Sequence, residues 1–274
     1  MRSAQIYQEK LYRRVGGFLE FDAALLTRCL DAVQREYGVT GGVAEIGVHH
    51  GRYFILLDLL RRDGEIAVAI DVFGQQHLNQ DQSGKGDRAQ LETNLARYGS
   101  ALPTEVIEAD SLSLTPQSLP GPFRFFSVDG GHTSEHVVND LRLAEATLAR
   151  GGIVMLDDIF NQPWCEVVYG FARYKESAGS LIPFAVFGGK LFLTNDSEFA
   201  AEYRFVSERV FMGRYHLVER EFFDNKICTH FPNIHPRVRF SFWLQRSALG
   251  KTALKVYHWA KGVIKFRILT LRNL

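Results

Sequence analysis

Short apolar runs alternate with amphipathic stretches through the middle of the chain. Uninterrupted apolar runs of roughly four to eight residues are typical of strands buried on both faces, and apolar residues at helical spacing indicate helices. The predicted strands are 43–47, 66–71, 104–107, 123–128 and 153–156, and the predicted helices between them are 53–61, 88–98 and 134–150. This alternation predicts an α/β fold with a doubly wound, mainly parallel sheet.

Two further apolar runs, 184–187 and 190–193, flank Gly188 and Gly189 and predict an antiparallel hairpin. With the five earlier strands, the hairpin gives a seven-stranded sheet. We therefore predict four regions along the chain. They are N-terminal covering helices at 1–41, the core domain at 42–197, an irregular aromatic-rich extension at 198–245 and a basic amphipathic helix at 246–274.

Composition fits an ordinary globular protein, since 46% of the 274 residues are hydrophobic. The cysteines, Cys29, Cys165 and Cys228, lie far apart and form no CxxC pair. Such spacing argues against a disulfide framework or a zinc knuckle. The chain shows neither a secretory h-region near its start nor an apolar run long enough to span a membrane, so we expect a cytoplasmic protein.

The net charge of +1 conceals a basic C-terminal segment. Residues 246–274 carry seven Lys and Arg and no acidic side chain, with apolar residues gathered on the opposite helical face. Such a helix suits the inner face of an anionic membrane, a second subunit in a homo-oligomer, or simply its own domain. Nucleic acid is a weaker alternative.

Carboxylates follow two neighbouring predicted strands. Asp129 comes directly after the strand 123–128, and Asp157 and Asp158 follow the strand 153–156. Parallel strands joined by a right-handed crossover end at the same edge of the sheet, so we expect the three side chains to converge. Oxygen ligands of this kind suit Mg²⁺ better than zinc.

Histidines accompany these carboxylates. His132 lies three residues after Asp129, and an unperturbed pKa of about 6.5 suits a general base at neutral pH. Helix capping is the alternative role for His132. His136, one turn further along, either shares that face or is exposed to solvent. Phe160 and Trp164 follow Asp157 and Asp158 in the sequence. They either form an apolar wall of the site or belong to the core.

A second group of residues indicates a nucleoside cofactor. Glu45, Gly47 and Gly51 follow the first strand, where glycines let a ligand approach the backbone. Asp71 ends the second strand, where it can accept hydrogen bonds from ribose hydroxyls. Asp110, with Ser111 beside it, ends the next strand. The loop lacks the G-x-G-x-x-G pattern of nicotinamide-binding proteins.

These motifs in this order resemble the class I S-adenosylmethionine-dependent methyltransferases, which have a Rossmann-like fold. More narrowly, they resemble the metal-dependent sugar and small-molecule O-methyltransferases of the macrocin O-methyltransferase type, with a methyltransferase domain 24-like core. The resemblance covers roughly 42–195. It rests on the loop 45–51, on Asp71 and Asp110, on the run 129–132 and on the acids at 157–158.

The resemblance implies a role for each residue of these motifs. In the cofactor half, Glu45, Gly47 and Gly51 would frame the methionine part of S-adenosylmethionine, Asp71 would hold the ribose, and Asp110 with Ser111 would lie near the adenine. In the catalytic half, Asp129, Asp157 and Asp158 would bind Mg²⁺, and His132 would act as the base.

The expected activity is methyl transfer to a hydroxyl of a sugar or polyhydroxylated small molecule. A divalent ion could chelate two neighbouring oxygens of the acceptor and lower the pKa of one of them. Three alternatives stay open at this stage. They are a catechol-type O-methyltransferase, a nicotinamide-dependent oxidoreductase and a non-catalytic module that binds the cofactor.

Overall fold

A central sheet organises the part of the chain that the computed structural model describes, residues 3–231. Within that part the sheet has nine strands, in the order β3-β2-β1-β4-β5-β7-β6-β9-β8. The strands are β1 Gly42–Ile46, β2 Ala67–Asp71, β3 Glu105–Glu108, β4 Phe123–Val128, β5 Leu148–Leu156, β6 Ile182–Phe187, β7 Lys190–Thr194, β8 His216–Phe222 and β9 Asn225–Phe231. The first five strands pair in parallel, and β7 runs antiparallel to both of its neighbours.

Helices cover both faces of this sheet. They are α1 Ala4–Ile6, α2 Phe21–Glu36, α3 Phe54–Leu60, α4 Arg88–Tyr98, α5 Ser134–Thr147, α6 Cys165–Glu176 and α7 Ser197–Phe211. Buried side chains of α2, α3 and α7 belong to one hydrophobic cluster, and those of α5 and α6 belong to a second cluster. Successive strand residues point to opposite faces, so β4 contributes Phe125 to the first cluster and Phe126 to the second. The predicted doubly wound α/β fold is confirmed.

The helix predicted at 134–150 ends earlier than expected. α5 stops at Thr147, and β5 begins at Leu148. Gly151 therefore lies inside a strand and not at the end of the helix. Its φ is +72°, and an added Cβ would lie 2.7 Å from the ring of Phe199. Glycine at this position lets α7 pack closely against β5.

The prediction of an irregular extension from residue 198 is wrong for its described part. These residues form α7 and the strands β8 and β9, which extend the predicted seven-stranded sheet to nine. Asp196 caps α7 by accepting from the backbone N–H groups of Glu198 and Phe199. Tyr203 and Phe211 of this helix are packing residues, because both are buried. The predicted basic helix at 246–274 lies outside the described residues.

Over residues 3–231, no helix is both long enough and apolar enough to cross a membrane.

The N-terminal segment continues from α1 through a π-helical turn at Tyr7–Leu11 and a 3₁₀ turn at Tyr12–Arg14. Tyr7 then donates a hydrogen bond of 2.7 Å to the carbonyl oxygen of Arg52. The segment is thereby fixed to the loop that follows β1.

Candidate functional site

The loops after β1, β4 and β5 meet at one edge of the sheet. Sheet-like hydrogen bonds continue past the strand ends, since the N–H of Asp129 donates to Ile46 O at 2.9 Å and that of Asp157 donates to Val128 O at 3.0 Å. The N–H of Gly47 donates to the end of β2 in the same way, at 2.8 Å from Ile70 O. The predicted cofactor and carboxylate residues therefore share this edge.

Glu45 is a buried acid at the base of the glycine loop, with 2% of its surface exposed. One carboxyl oxygen accepts from the Ser127 hydroxyl at 3.2 Å, and the other, Oε2, is buried without a hydrogen-bond partner. Burial raises the pKa of Glu45 to about 8, even though Lys190 opposes the shift. An unpartnered buried oxygen at this point fits a hydrogen-bond donor on a ligand.

Ionisation of the buried Glu45 carboxyl group should lower the free energy of unfolding as the pH rises. Because its pKa is about 8 in the folded protein and its ordinary value is 4.5, the folded state loses stability as the pH rises from about 4.5 to 8. Glu45→Gln should remove this loss and raise the free energy of unfolding at pH 8 by a few kcal/mol, at about 1.4 kcal/mol per unit of pKa shift.

Urea unfolding of the Glu45→Gln variant at pH 5 and pH 8 tests this expectation. Glu105→Gln is the matched control, since Glu105 lies exposed on β3. Equal stability changes at the two pH values for Glu45→Gln would show that its carboxyl group is not held in the neutral form.

Asp71 lies where the sequence predicted a ribose ligand, at the end of β2. Its Oδ2 accepts from the backbone N–H of His49 and its Oδ1 from that of Phe73, both at 2.8 Å. These two amides fix the orientation of the carboxylate. A carboxylate has about four lone-pair directions, so both oxygens keep acceptor capacity for ribose hydroxyls.

Asp110 and Ser111 start the short 3₁₀ turn after β3. Asp110 Oδ1 caps the turn by accepting from the N–H of Leu112 at 3.0 Å, and it lies 3.3 Å from His136 Nε2. His136 Nδ1 contacts the Thr133 hydroxyl at 2.7 Å. Because only 4% of its surface is exposed, the alternative of a solvent-exposed His136 is wrong. This histidine supports the predicted adenine end of the site.

Lys190 is a residue of the site that our sequence reasoning missed. Its Nζ lies 2.6 Å from Asp157 Oδ2, 3.7 Å from Asp129 Oδ2 and 4.8 Å from the ring centroid of Tyr53. Only 1% of its surface is exposed. Asp157, one of the three predicted metal ligands, forms an ion pair with this buried ammonium group.

The two acids beside Lys190 have different pKa values. Burial and the charge of Asp157 raise the pKa of Asp129 well above its ordinary value. Burial also acts to raise the pKa of Asp157, but Lys190 and hydrogen bonds from its neighbours lower it overall. Asp157 is therefore the ionised partner of Lys190, and Asp129 is the acid more readily protonated.

His132 lies between two carboxylates at the mouth of the site. Its Nδ1 is 2.6 Å from Asp81 Oδ2, and its Nε2 is 3.1 Å from Asp158 Oδ2, a contact without hydrogen-bond geometry. Trp164 stacks on the ring at 4.4 Å between centroids. Burial acts to lower the pKa of His132, but the contacts with Asp158 and Asp81 outweigh it and raise that pKa to about 9.

One group of described residues offers ligand atoms for a metal ion. One such atom from each of Asp129, His132 and Asp158 lies within 4.8 Å of the other two. The Nδ1 atom of His132 is already paired with Asp81, so Nε2 is the ring nitrogen left for a metal. A histidine that binds a metal through Nε2 cannot accept a proton there at the same time.

A family model matches the part of the chain that carries these motifs. Residues 44–159 match the family model described as "Methyltransferase domain". No curated protein matches the chain.

Similar solved structures include three O-methyltransferases. NovP is 16% identical, with 67% of this chain and 79% of that chain covered and a TM-score of 0.48. CalS11, described as a TDP-rhamnose 3′-O-methyltransferase in calicheamicin biosynthesis, is 19% identical over 63% of this chain and 78% of that chain, with a TM-score of 0.48. TomG from Streptomyces achromogenes, solved with S-adenosylmethionine, is 19% identical over 70% of this chain and 87% of that chain, with a TM-score of 0.46. At these values the likeness transfers no substrate and no residue role.

Proposed function

We propose that the protein is an S-adenosylmethionine-dependent O-methyltransferase of class I, supported by the match of residues 44–159 to a methyltransferase-domain model. Its proposed acceptor is a hydroxyl of a sugar or a related polyhydroxylated small molecule. The observation that carries the proposal is the position of His132, which lies between Asp81 and Asp158 at the sheet edge that also holds the glycine loop. When bound, the cofactor supplies a methyl group on a positively charged sulfur.

The cofactor half of the site supports this assignment through three carboxylates. Glu45 would accept from the amino group of the methionine moiety through its unpartnered Oε2. Asp71, held by two backbone amides, would accept from the ribose hydroxyls. Asp110 and Ser111 would border the adenine, with His136 behind them. Each group is positioned by the protein before a ligand binds, which lowers the entropic cost of binding.

The catalytic half needs a base for the acceptor hydroxyl, and we assign this role to His132. A pKa of about 9 keeps the ring protonated at neutral pH in the protein alone. A positive charge bound nearby, such as that on the cofactor sulfur, would lower this pKa toward neutrality. Asp129, at the same edge, would accept from a second hydroxyl of the acceptor and so align the first.

A divalent cation defines a second arrangement of this site. The converging ligand atoms of Asp129, His132 and Asp158 favour it. Such a cation would hold neighbouring acceptor oxygens and lower the pKa of one of them. His132 would then be a ligand and not the base, so the two arrangements exclude each other.

We propose a sugar as the acceptor because the motifs resemble those of sugar and small-molecule O-methyltransferases. Trp164 offers an apolar ring beside His132, and the exposed ring of Phe160 follows the same strand end. Aromatic rings of this kind suit the apolar face of a sugar and also a catechol ring. A catechol-type acceptor is therefore the second substrate class to screen.

Radiolabelled methyl transfer tests the proposal. The protein is treated with EDTA, and the assay screens sugars, nucleotide sugars and catechols with and without added Mg²⁺. We expect transfer to a hydroxyl acceptor, and His132→Gln should lower kcat by about 10²- to 10⁴-fold. His77→Gln, a change at an exposed loop histidine, is the matched control.

Three outcomes of this assay are informative. Activity that survives EDTA supports His132 as the base, and activity that needs Mg²⁺ supports the metal arrangement. Cofactor binding without transfer to any acceptor would contradict the proposed enzyme and favour a non-catalytic module.

A further inference from the structure

Asp81 contacts the proposed base from a distant part of the chain. It lies in the loop between β2 and α4, 51 residues before His132. A single carboxylate oxygen, Oδ2, accepts from the backbone N–H of His132 at 2.7 Å and contacts its Nδ1 at 2.6 Å. The other oxygen accepts from the N–H of Ser83 at 2.9 Å. Asp81 is thus held by its own loop and holds both the main chain and the ring of His132.

The remaining contacts leave one nitrogen of the ring for chemistry. Trp164 stacks on the ring with an interplanar angle of 14° and blocks one face. The side chains of His132 and Asp81 are only 10% and 11% exposed, so water competes weakly for the contact between them. Nε2 points to the carboxylate edge, where it lies 3.1 Å from Asp158 Oδ2 in a contact without hydrogen-bond geometry.

We propose that Asp81 is a positioning residue for methyl transfer, which keeps a proton on Nδ1 of His132 and thereby leaves Nε2 free to accept the proton of the acceptor hydroxyl. This inference rests on the proposed function. The acceptor oxygen bonds to the methyl carbon while the carbon–sulfur bond breaks, and that bonding pair stays on sulfur. The hydroxyl proton moves to Nε2, and the carboxylate of Asp81 stabilises the resulting imidazolium.

The loop that carries Asp81 also lies on the cofactor half of the site. A Cβ added at Gly86 would lie 2.5 Å from Asp71 Oδ1, and one added at Gly84 would lie 3.3 Å from the ring of His49. Asn79 stabilises this path by donating to the carbonyl oxygen of Gly84 at 2.6 Å. The loop that presents Asp81 to His132 therefore also covers the carboxylate assigned to the ribose.

Asp81→Asn is the first variant to test, because it keeps the shape and removes the charge. We expect kcat to fall by about 10²-fold or more, with an unchanged dissociation constant for S-adenosylhomocysteine. Asp87→Asn is the matched control in the same loop. Asp87 caps α4 by accepting from the N–H of Gln90 at 2.9 Å, so its loss should affect stability and leave kcat unchanged.

Nitrogen NMR of the His132 ring provides a readout that a merely structural role would not change. Recorded at a pH where the ring is neutral, the wild-type spectrum should show the proton on Nδ1, and Asp81→Asn should shift the proton toward Nε2. The wild-type spectrum alone tests the inference if the variant fails to fold. A neutral ring with its proton on Nε2 would overturn the inference.

The kinetic outcomes separate this inference from the proposed function. If Asp81→Asn has the kcat of the wild type and His132→Gln is inactive, the role of Asp81 is rejected and His132 is retained as the base. Wild-type kcat in both variants would reject the base assignment itself.

Discussion

Replacing Lys190 with methionine is expected to lower the free energy of unfolding by about 3–5 kcal/mol, because it leaves two partly buried carboxylates without their buried cation. Lys190 Nζ lies 2.6 Å from Asp157 and 3.7 Å from Asp129, and the side chain is almost fully buried. Methionine has a similar length, so the change removes charge more than volume. Loss of the ion pair should also displace Asp157 from the edge of the site and slow methyl transfer.

Urea unfolding at pH 7 and pH 5 measures this effect. Without Lys190 the pKa of Asp157 should rise, so more of this carboxylate becomes neutral as the pH falls. The difference in free energy of unfolding between the variant and the wild type should therefore be smaller at pH 5 than at pH 7. Lys226→Met is the matched control, since Lys226 forms a surface pair of 2.9 Å with Glu219 and its loss should change little. A Lys190→Met variant as stable as the wild type would contradict the buried ion pair.

Replacing Gly47 with alanine is expected to abolish cofactor binding and to destabilise the domain. The φ of Gly47 is +81°, and an added Cβ would lie 1.7 Å from the carbonyl oxygen of Asp129. That distance is far below contact distance, so the loops after β1 and β4 would have to separate. The same movement would displace Glu45 and Asp129 from the positions assigned to them.

Gly64→Ala is the matched control, because it introduces the same kind of backbone strain without a steric clash. Gly64 has a similar φ of +83°, and a Cβ added there would meet nothing within 4 Å. We expect this control to lose only about 1–2 kcal/mol and to keep its cofactor affinity. Titration calorimetry with S-adenosylhomocysteine and thermal unfolding test both variants. Cofactor binding by Gly47→Ala equal to that of the control would show that the close approach of the two loops is not required.

The parallel core was predictable because its strands are buried on both faces. β4, Phe123–Val128, is apolar except for Arg124 and Ser127, all of its residues are buried, and its bounds match the prediction. The acids at the carboxyl ends of such strands follow from topology, since parallel strands end at one edge. The placement of Asp71 and Asp129 could therefore be predicted from sequence alone.

Lys190 could have been found from the predicted hairpin if its register had been traced. Leu191 pairs with Leu156 across β7 and β5, which places Lys190 opposite Asp157. Asp81 had no comparable signal, because its contact with His132 joins a loop without periodicity to a residue far along the chain. The sheet was predicted without β8 and β9 because these strands are mostly half-buried or exposed, which weakens the alternation of apolar and polar residues.

The most direct test of the account is isothermal titration of S-adenosylhomocysteine against the full chain, with NADH as a competitor. The account predicts saturable binding at one site that NADH does not displace, since it assigns Glu45, Asp71 and Asp110 to the methionine, ribose and adenine parts of the ligand. Displacement by NADH, or the absence of any binding of S-adenosylhomocysteine, would contradict a cofactor site at this edge of the sheet.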